Sequence, residues 1–370
     1  MKKVFLSLLA TSLVFFTTVF VVAKHQDAGD APFRVAMISG IADIDDNSFN
    51  QSTYEGCKEW CSGHDIPFTY YKPAANSNAE RGKCVELAIE RGYNVLFLPG
   101  YQFGDTIAQF ANKYPDVTFY GIDVTESDLP STFIPGDNVF CFSYHEEIAG
   151  YLAGYASTKE GYKKHGFLGG MKGLAVTRFG YGYVQGVDAA ASEMNIDAEI
   201  NFVYGGQFYG DNDITKYVDN WYKGGTEIVF ACGGGIYTSA ALAARDNGGK
   251  IIGVDSDQSI VVDRDYGEGI CITSAMKCIP STIKTVLDSY ADEIASGETF
   301  AKLGLVSSSN IDENYVGLPI DTWSMTNFTV EDYKVVVDDI LKGKCIISDE
   351  VNSQPTLSSH TTLKEFGSIK

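Results

Sequence analysis

The stretch FRVAMISGIADIDDNSFNQSTYEGCKEWCS, Phe33–Ser62, contains a complete strand, loop and helix. Phe33–Ser39 is apolar apart from Arg34 and the terminal Ser39, long enough for a buried strand and too short for a helix. Ser48–Ser62 carries a helical period, with Cys57 and Cys61 one turn apart. Between them lies a loop of small and acidic residues, Ser39-Gly40-Ile41-Ala42-Asp43-Ile44-Asp45-Asp46-Asn47, that leads from the strand end into the helix start.

The same unit recurs along the chain. Strands are expected at Phe33–Ser39, Pro67–Tyr71, Asn94–Leu98 and Val117–Ile122, with helices at Ser48–Ser62, Ser77–Arg91 and Asp105–Asn112. A second set of strands follows at Gly166–Gly169, Ile200–Tyr204, Glu227–Ala231 and Lys250–Val254, with helices at Thr177–Met194, Asp211–Lys223 and Tyr237–Asn247. Strands alternating with helices imply parallel sheets with right-handed crossovers, here in two successive α/β units. A length of 370 residues suits two such lobes of roughly 100–200 residues each. Short extended segments at Asn138–Ser143, Gly269–Ser274 and Ile320–Ser324 are expected to cross between the lobes. This divides the chain into a first lobe, 33–141 with part of 273–320, a second lobe, 142–272 with part of 321–348, and a C-terminal tail, 349–370.

Composition excludes several functions. A net charge of −20 repels nucleic acid and anionic headgroups, so neither is an expected partner. With 45% hydrophobic residues the chain has enough apolar surface for real cores. Lys2 and Lys3 precede an apolar or small run from Val4 to Ala23, the layout of a signal peptide or an N-terminal membrane anchor over residues 1–23, which places the protein outside the cytoplasm. No cysteine stands there to carry a lipid. The eight cysteines are scattered, several within strand-like runs, as expected of buried thiols, although disulfides stay open; no paired spacing with His suggests zinc, and no metal or cofactor is expected.

In open α/β sheets ligands bind beyond the carboxyl ends of the strands, so the loops there hold the candidate site. They supply Asp45 to Gln51, Gly100-Tyr101-Gln102-Phe103, Asp123, Gly170-Met171-Lys172, Gly205-Gly206-Gln207-Phe208, Gly233-Gly234-Gly235 and Asp255-Ser256-Asp257-Gln258. Phe49 and Phe208 belong to different lobes, so closure would sandwich a flat heterocycle between them while Asp255 and other carboxylates accept hydrogen bonds from hydroxyls. For a single Phe at a helix start, core packing is the plainer reading. Asp45 and Asp46 have a competing structural role at the helix start, where a carboxylate accepts free backbone N–H groups. Gly233–Gly235 lacks the Lys-Ser/Thr of a phosphate loop and reads instead as close backbone approach.

Four segments together resemble the basic membrane protein family, which contains the purine nucleoside receptors of ABC importers. They are Asp45-Asp46-Asn47-Ser48-Phe49-Asn50-Gln51, Glu146-Glu147-Ile148-Ala149-Gly150-Tyr151-Leu152-Ala153-Gly154, Gly253-Val254-Asp255-Ser256-Asp257-Gln258 and Thr273-Ser274-Ala275-Met276-Lys277. The resemblance implies a type I periplasmic-binding fold of two doubly wound lobes joined by a hinge. It also implies that Phe49 and Phe208 stack on the base and that Asp255 and Lys277 hold the ribose, with Asp123 and the Gly233–Gly234 backbone nearby. Asp46 and Asn50 complete the expected ligand-binding set. The expected function is capture of a small ligand, a purine nucleoside on this reading, by a monomer that delivers it to an ABC permease.

The chain departs from the family in one respect that bears on the base. Members that recognise purines tend to carry an acidic residue just after the first strand, where this chain has Ser39-Gly40-Ile41-Ala42. A base-reading carboxylate is then absent or supplied by Asp43 or Asp46. A sugar or small signalling molecule, delivered to a membrane sensor, stays open as the alternative. Catalysis is not expected. Ile44-Asp45-Asp46 superficially matches the calcium cluster of nucleoside hydrolases but lacks the aspartates upstream. The five histidines also avoid the strand-end loops, with His145 and His165 as the two exceptions to check.

Overall fold

The computed structural model describes residues 31–40, 42–292 and 298–370. The N-terminal segment read as a signal or anchor lies outside them. Among the described residues no helix is long and apolar enough to cross a membrane.

The chain runs through β1 (Val35–Ile38), α1 (Phe49–Gly63), β2 (Phe68–Tyr71), α2 (Asn78–Glu90), β3 (Val95–Pro99), α3 (Gly104–Phe110), β4 (Thr118–Ile122) and β5 (Val139–Tyr144). It continues with α4 (Glu146–Glu160), β6 (Lys164–Gly169), α5 (Leu174–Met194), β7 (Ala198–Tyr204), α6 (Asn212–Lys223), β8 (Ile228–Cys232), α7 (Tyr237–Asn247), β9 (Lys250–Asp255), α8 (Ser259–Tyr266) and β10 (Cys271–Lys277). Last come α9 (Ile279–Ala291), β11 (Phe300–Leu303), β12 (Val316–Gly317), α10 (Val330–Leu341) and β13 (Thr361–Ser368). The strands form two sheets, a six-stranded one in the order β11-β5-β4-β3-β1-β2 and a seven-stranded one in the order β12-β10-β9-β8-β6-β7-β13. All pairings are parallel except β10 with the short β12. Central strands such as Val95–Pro99 and Ile228–Cys232 are buried along their whole length, as parallel strands covered on both faces must be.

Three segments pass between the sheets, each a few residues from the position expected. Asn138–Ser143 lies almost wholly in β5 of the first sheet, and the chain crosses at Tyr144–Glu146. Gly269–Ser274 opens β10 of the second sheet, which runs on to Lys277 before α9 returns to pack on α1. The third crossing falls between β11 and β12, ahead of Ile320–Ser324. Backbone bonds tie the three together: His145 N donates to Leu303 O at 2.8 Å, Tyr315 N to Gly304 O at 3.0 Å and Cys278 N to Tyr315 O at 2.9 Å. Hydrophobic patterning marks strands but not the residue at which a strand leaves its sheet, which accounts for the offsets.

The expected C-terminal tail is also corrected. Residues 361–368 extend the edge of the second sheet by pairing in parallel with β7, and Ile369 N donates to Tyr204 O at 2.8 Å. Its alternating, largely exposed sequence, Thr-Thr-Leu-Lys-Glu-Phe-Gly-Ser, suits an edge strand with one wet face.

Close packing of α4 on α5 determines how the second lobe meets the cleft. Gly150 and Gly154 on α4 face Gly182 and Gly186 on α5. A Cβ at Gly150 or Gly154 would overlap the carbonyl oxygen of Phe179 or Tyr183, and one at Gly182 or Gly186 that of Glu147 or Tyr151. The glycines of the Glu146–Gly154 segment thus bring two helix backbones together and seat Glu146 at the cleft. All eight cysteines are free thiols, and Cys57, Cys61, Cys141, Cys232 and Cys271 are buried.

Candidate ligand-binding site

A cavity of about 290 Å³ lies between the two sheets beyond the carboxyl ends of their strands. This is close to the lower end of the range for small-molecule sites. The nine residues of the expected ligand-binding set line it: Asp46, Phe49, Asn50 and Asp123 from the first lobe, and Phe208, Gly233, Gly234, Asp255 and Lys277 from the second.

Lys277 is the electrostatic centre of the cavity. Its side chain is 2% exposed; Nζ is ion-paired with Asp123 and lies 3.4 Å from Glu146 Oε1, with the Phe49, Tyr144 and Phe179 rings 5.3–5.5 Å away. Burial opposes the charge, yet Asp123, Glu146 and Asp255 hold the ammonium well above the usual lysine range. The same burial pushes the carboxyls of Asp123 and Asp255 up to about 6, while Lys277 pulls both down and the Ser48 bond lowers Asp255. Ser48 Oγ donates to Asp255 Oδ2 at 2.6 Å. Asp123 and Asp255 follow or end β4 and β9 with φ of 56° and 64°. Aspartate is among the few residues that tolerate this left-handed backbone, which turns each carboxylate into the cavity at some cost in strain.

The aromatic pair comes from opposite lobes. Phe49 is the first residue of α1, and Phe208 follows β7. Glycines clear the space for Phe208: a Cβ at Gly170 would lie 2.5 Å from its ring, and one at Gly233, where φ is 143°, would lie 2.9 Å away. The Gly233–Gly235 run is therefore a shelf for an aromatic ring.

Asp46 lines the cavity, but its carboxylate is committed to the start of α1. It accepts from Ser48 N, Asn50 N and Gln51 N at 3.0–3.1 Å and from Asn50 Nδ2 at 3.0 Å. Burial raises its pKa despite these bonds. Of the two acidic residues weighed for the helix start, Asp46 takes that role and Asp45 is exposed. Asn50 is also spent on structure, since its Oδ1 accepts from Gly40 N at 2.9 Å. Asp43 pairs with Lys72 and does not line the cavity, so it is not the missing base-reading carboxylate.

Sequence reading passed over four residues here. Glu146 stood in a quoted segment, but nothing distinguished it from Glu147 as the cavity carboxylate. Arg178, whose Nη1 lies 3.5 Å from Glu146 Oε2, sits inside a helical period that gave no sign of facing the cleft. Gln102 and Ser48 were in loops already identified but offered no charge or ring to draw attention. Three polar atoms of the cavity, Asp123 Oδ1, Glu146 Oε2 and Arg178 Nε, are buried without a hydrogen-bond partner. Such atoms are costly unless a bound molecule meets them.

Asn47 and Ser48 lock one lobe to the other. The Asn47 carbonyl accepts from Ser256 Oγ at 2.8 Å and Gln258 Nε2 at 3.0 Å, and Asn47 Nδ2 lies 3.3 Å from the Tyr237 hydroxyl. With the Ser48–Asp255 bond, these contacts hold the cleft shut over the cavity.

The family model for ABC transporter substrate-binding proteins of the PnrA-like type, Bmp, matches residues 33–353. The chain belongs to the Bmp family. Among its relatives, the ABC transporter nucleoside-binding protein BmpA of Lactococcus lactis is 26% identical over 94% of this chain and 98% of its own. Basic membrane protein A of Borreliella burgdorferi is 30% identical over 70% and 73%. A solute-binding protein of an ABC transporter system from Aeropyrum pernix has the same fold, with a TM-score of 0.66 at 18% identity over 84% of this chain and 86% of that one.

Membership in Bmp makes this a substrate-binding protein of ABC transport, from a family of binders and not of enzymes. The geometry fits that role. The two aspartates that superficially matched a hydrolase cluster are not gathered into a site: Asp46 is bonded to the start of α1 and Asp45 is exposed. Of the two histidines flagged, His165 is buried in β6 against the Tyr183 hydroxyl, with its pKa pushed down to about 4 by burial. His145 lies at the lobe crossing with Nδ1 2.5 Å from Glu147 Oε1.

Proposed function

We propose that this Bmp protein captures a nucleoside in its inter-lobe cleft and presents the closed form to the permease of an ABC importer. The observation that carries the reading is the placement of Phe49 and Phe208 on opposite lobes across a cavity whose floor is the Lys277, Asp123, Asp255 charge cluster. A base stacks between two rings, and the ribose hydroxyls both donate to the carboxylates and accept from the ammonium, so base and sugar are held by different parts of the cavity. Asp123 Oδ1 and Glu146 Oε2, which accept no hydrogen bond within the protein, are the acceptors such hydroxyls would satisfy. The relative named as nucleoside-binding supports the same ligand class. The protein would act as a monomer, outside the cytoplasm where ABC substrate-binding proteins work, reached by way of the N-terminal segment.

Closure follows from differential affinity, since a ligand favours the shut state only through contacts it makes with both lobes at once. Thermal melting of the purified protein against nucleosides, free bases, pentoses and hexoses tests this. A ligand bound only by the folded form raises the melting temperature with concentration. Nucleosides are expected to raise it and free sugars not; stabilisation by hexoses alone would contradict the reading.

A further inference from the structure

We infer that Gln102 reads the polar edge of the bound base, where the stretch after the first strand, Ser39-Gly40-Ile41-Ala42, supplies no carboxylate. This rests on the nucleoside reading and specifies how the base is recognised. Gln102 follows β3 and lines the cavity on the first lobe. Its amide is folded into a space kept clear by two glycines. A Cβ at Gly40 would lie 2.8 Å from Gln102 Nε2, and one at Gly100, where φ is 113°, would overlap Oε1. Gly40 is in the stretch after β1 that has no acidic residue. Any side chain there would meet Gln102 Nε2, Asn50 Oδ1 and the Pro99 carbonyl together, so the amide occupies the volume a carboxylate would need.

Three other polar side chains lining this side of the cavity, Asp46, Asn50 and Asp128, are engaged within the protein. Asp46 holds the start of α1, Asn50 bonds Gly40 N and Asp46, and Asp128 accepts from Thr125 N and Oγ1 at 2.7–2.8 Å. Gln102 makes a single long bond, Nε2 to Pro99 O at 3.3 Å, which leaves Oε1 and the second N–H for a ligand.

An amide and a carboxylate select different edges. A carboxylate only accepts, and so favours an edge with adjacent donors such as N1–H and N2–H₂ of guanine. An amide offers one donor beside one acceptor and pairs with either a 6-amino or a 6-oxo purine. Among purine nucleosides the amide therefore predicts little discrimination between adenosine, inosine and guanosine.

Calorimetric titration of the wild type, Gln102→Glu and Gln102→Leu with inosine, adenosine and guanosine tests this. In the wild type the three affinities should agree within about ten-fold. Gln102→Glu should shift the guanosine-to-inosine affinity ratio toward guanosine by about five-fold to a hundred-fold, the discrimination of one bidentate pair. Gln102→Leu should weaken all three by similar factors. An unchanged ratio in Gln102→Glu, or wild-type affinity in Gln102→Leu, with the unliganded melting temperature retained, would overturn the role of Gln102. Absence of nucleoside binding by the wild type would instead overturn the nucleoside reading itself.

Discussion

Replacing Lys277 by Met removes the buried charge on which the cavity depends while keeping most of the apolar stem among the Phe49, Tyr144 and Phe179 rings. Lys277 is the counter-charge for Asp123, for Glu146 at 3.4 Å and for Asp255, which are 15%, 1% and 7% exposed. Removing one partner of a buried ion pair costs about 3–5 kcal/mol, because the opposite charge is stranded. Here the stranded carboxylates have an escape: burial already raises Asp123 and Asp255 to about 6, and without Lys277 they rise further and take up protons. The loss should therefore approach the upper figure at pH 8 and fall well below it at pH 5. Urea unfolding of wild type and variant at both pH values measures it. Equal losses at the two pH values, or no loss at pH 8, would refute the view that Lys277 compensates this cluster.

Other outcomes follow from the same contacts. Asp255 has a folded pKa of about 6 against an ordinary 3.8, so the folded state retains a proton that the unfolded chain releases. Its contribution is favourable below pH 4 and is lost as pH rises to 6, and Asp255→Asn should gain up to about 3 kcal/mol relative to wild type between pH 4 and 7, measured by urea unfolding. Phe208→Ala should weaken nucleoside binding by about 1–3 kcal/mol in calorimetry with little change in unliganded melting, since the ring rests on a glycine shelf. Gly154→Ala inserts a methyl against the Tyr183 carbonyl and should destabilise the protein by about 1–3 kcal/mol in chemical unfolding. Asp46→Ala, which strips the start of α1, should cost about 0.5–2 kcal/mol in the same assay.

The two-lobed α/β architecture was legible because buried parallel strands are short unbroken apolar runs, as in Val95–Pro99 and Ile228–Cys232, separated by helical periods. β13 escaped notice because an edge strand with one wet face, carrying Lys364, Glu365 and a glycine, does not look like a buried strand. The positions of the candidate site residues followed from the rule that ligands meet the carboxyl ends of strands. What each residue does there was less accessible. Asp46 and Asp123 are both loop aspartates, and only the structure shows one bonded to the backbone of α1 and the other ion-paired with Lys277. Gln102 was hidden for a different reason: its importance comes from the space left by Gly40 and Gly100, and an absent side chain leaves no signal in a pattern of residue types.

Equilibrium dialysis of the purified protein against labelled inosine, with unlabelled adenosine, ribose, hypoxanthine and galactose as competitors, tests nucleoside capture most directly. The account predicts saturable one-to-one retention that adenosine displaces and ribose, hypoxanthine or galactose does not. No retention of inosine, or displacement by galactose as effective as by adenosine, would contradict it.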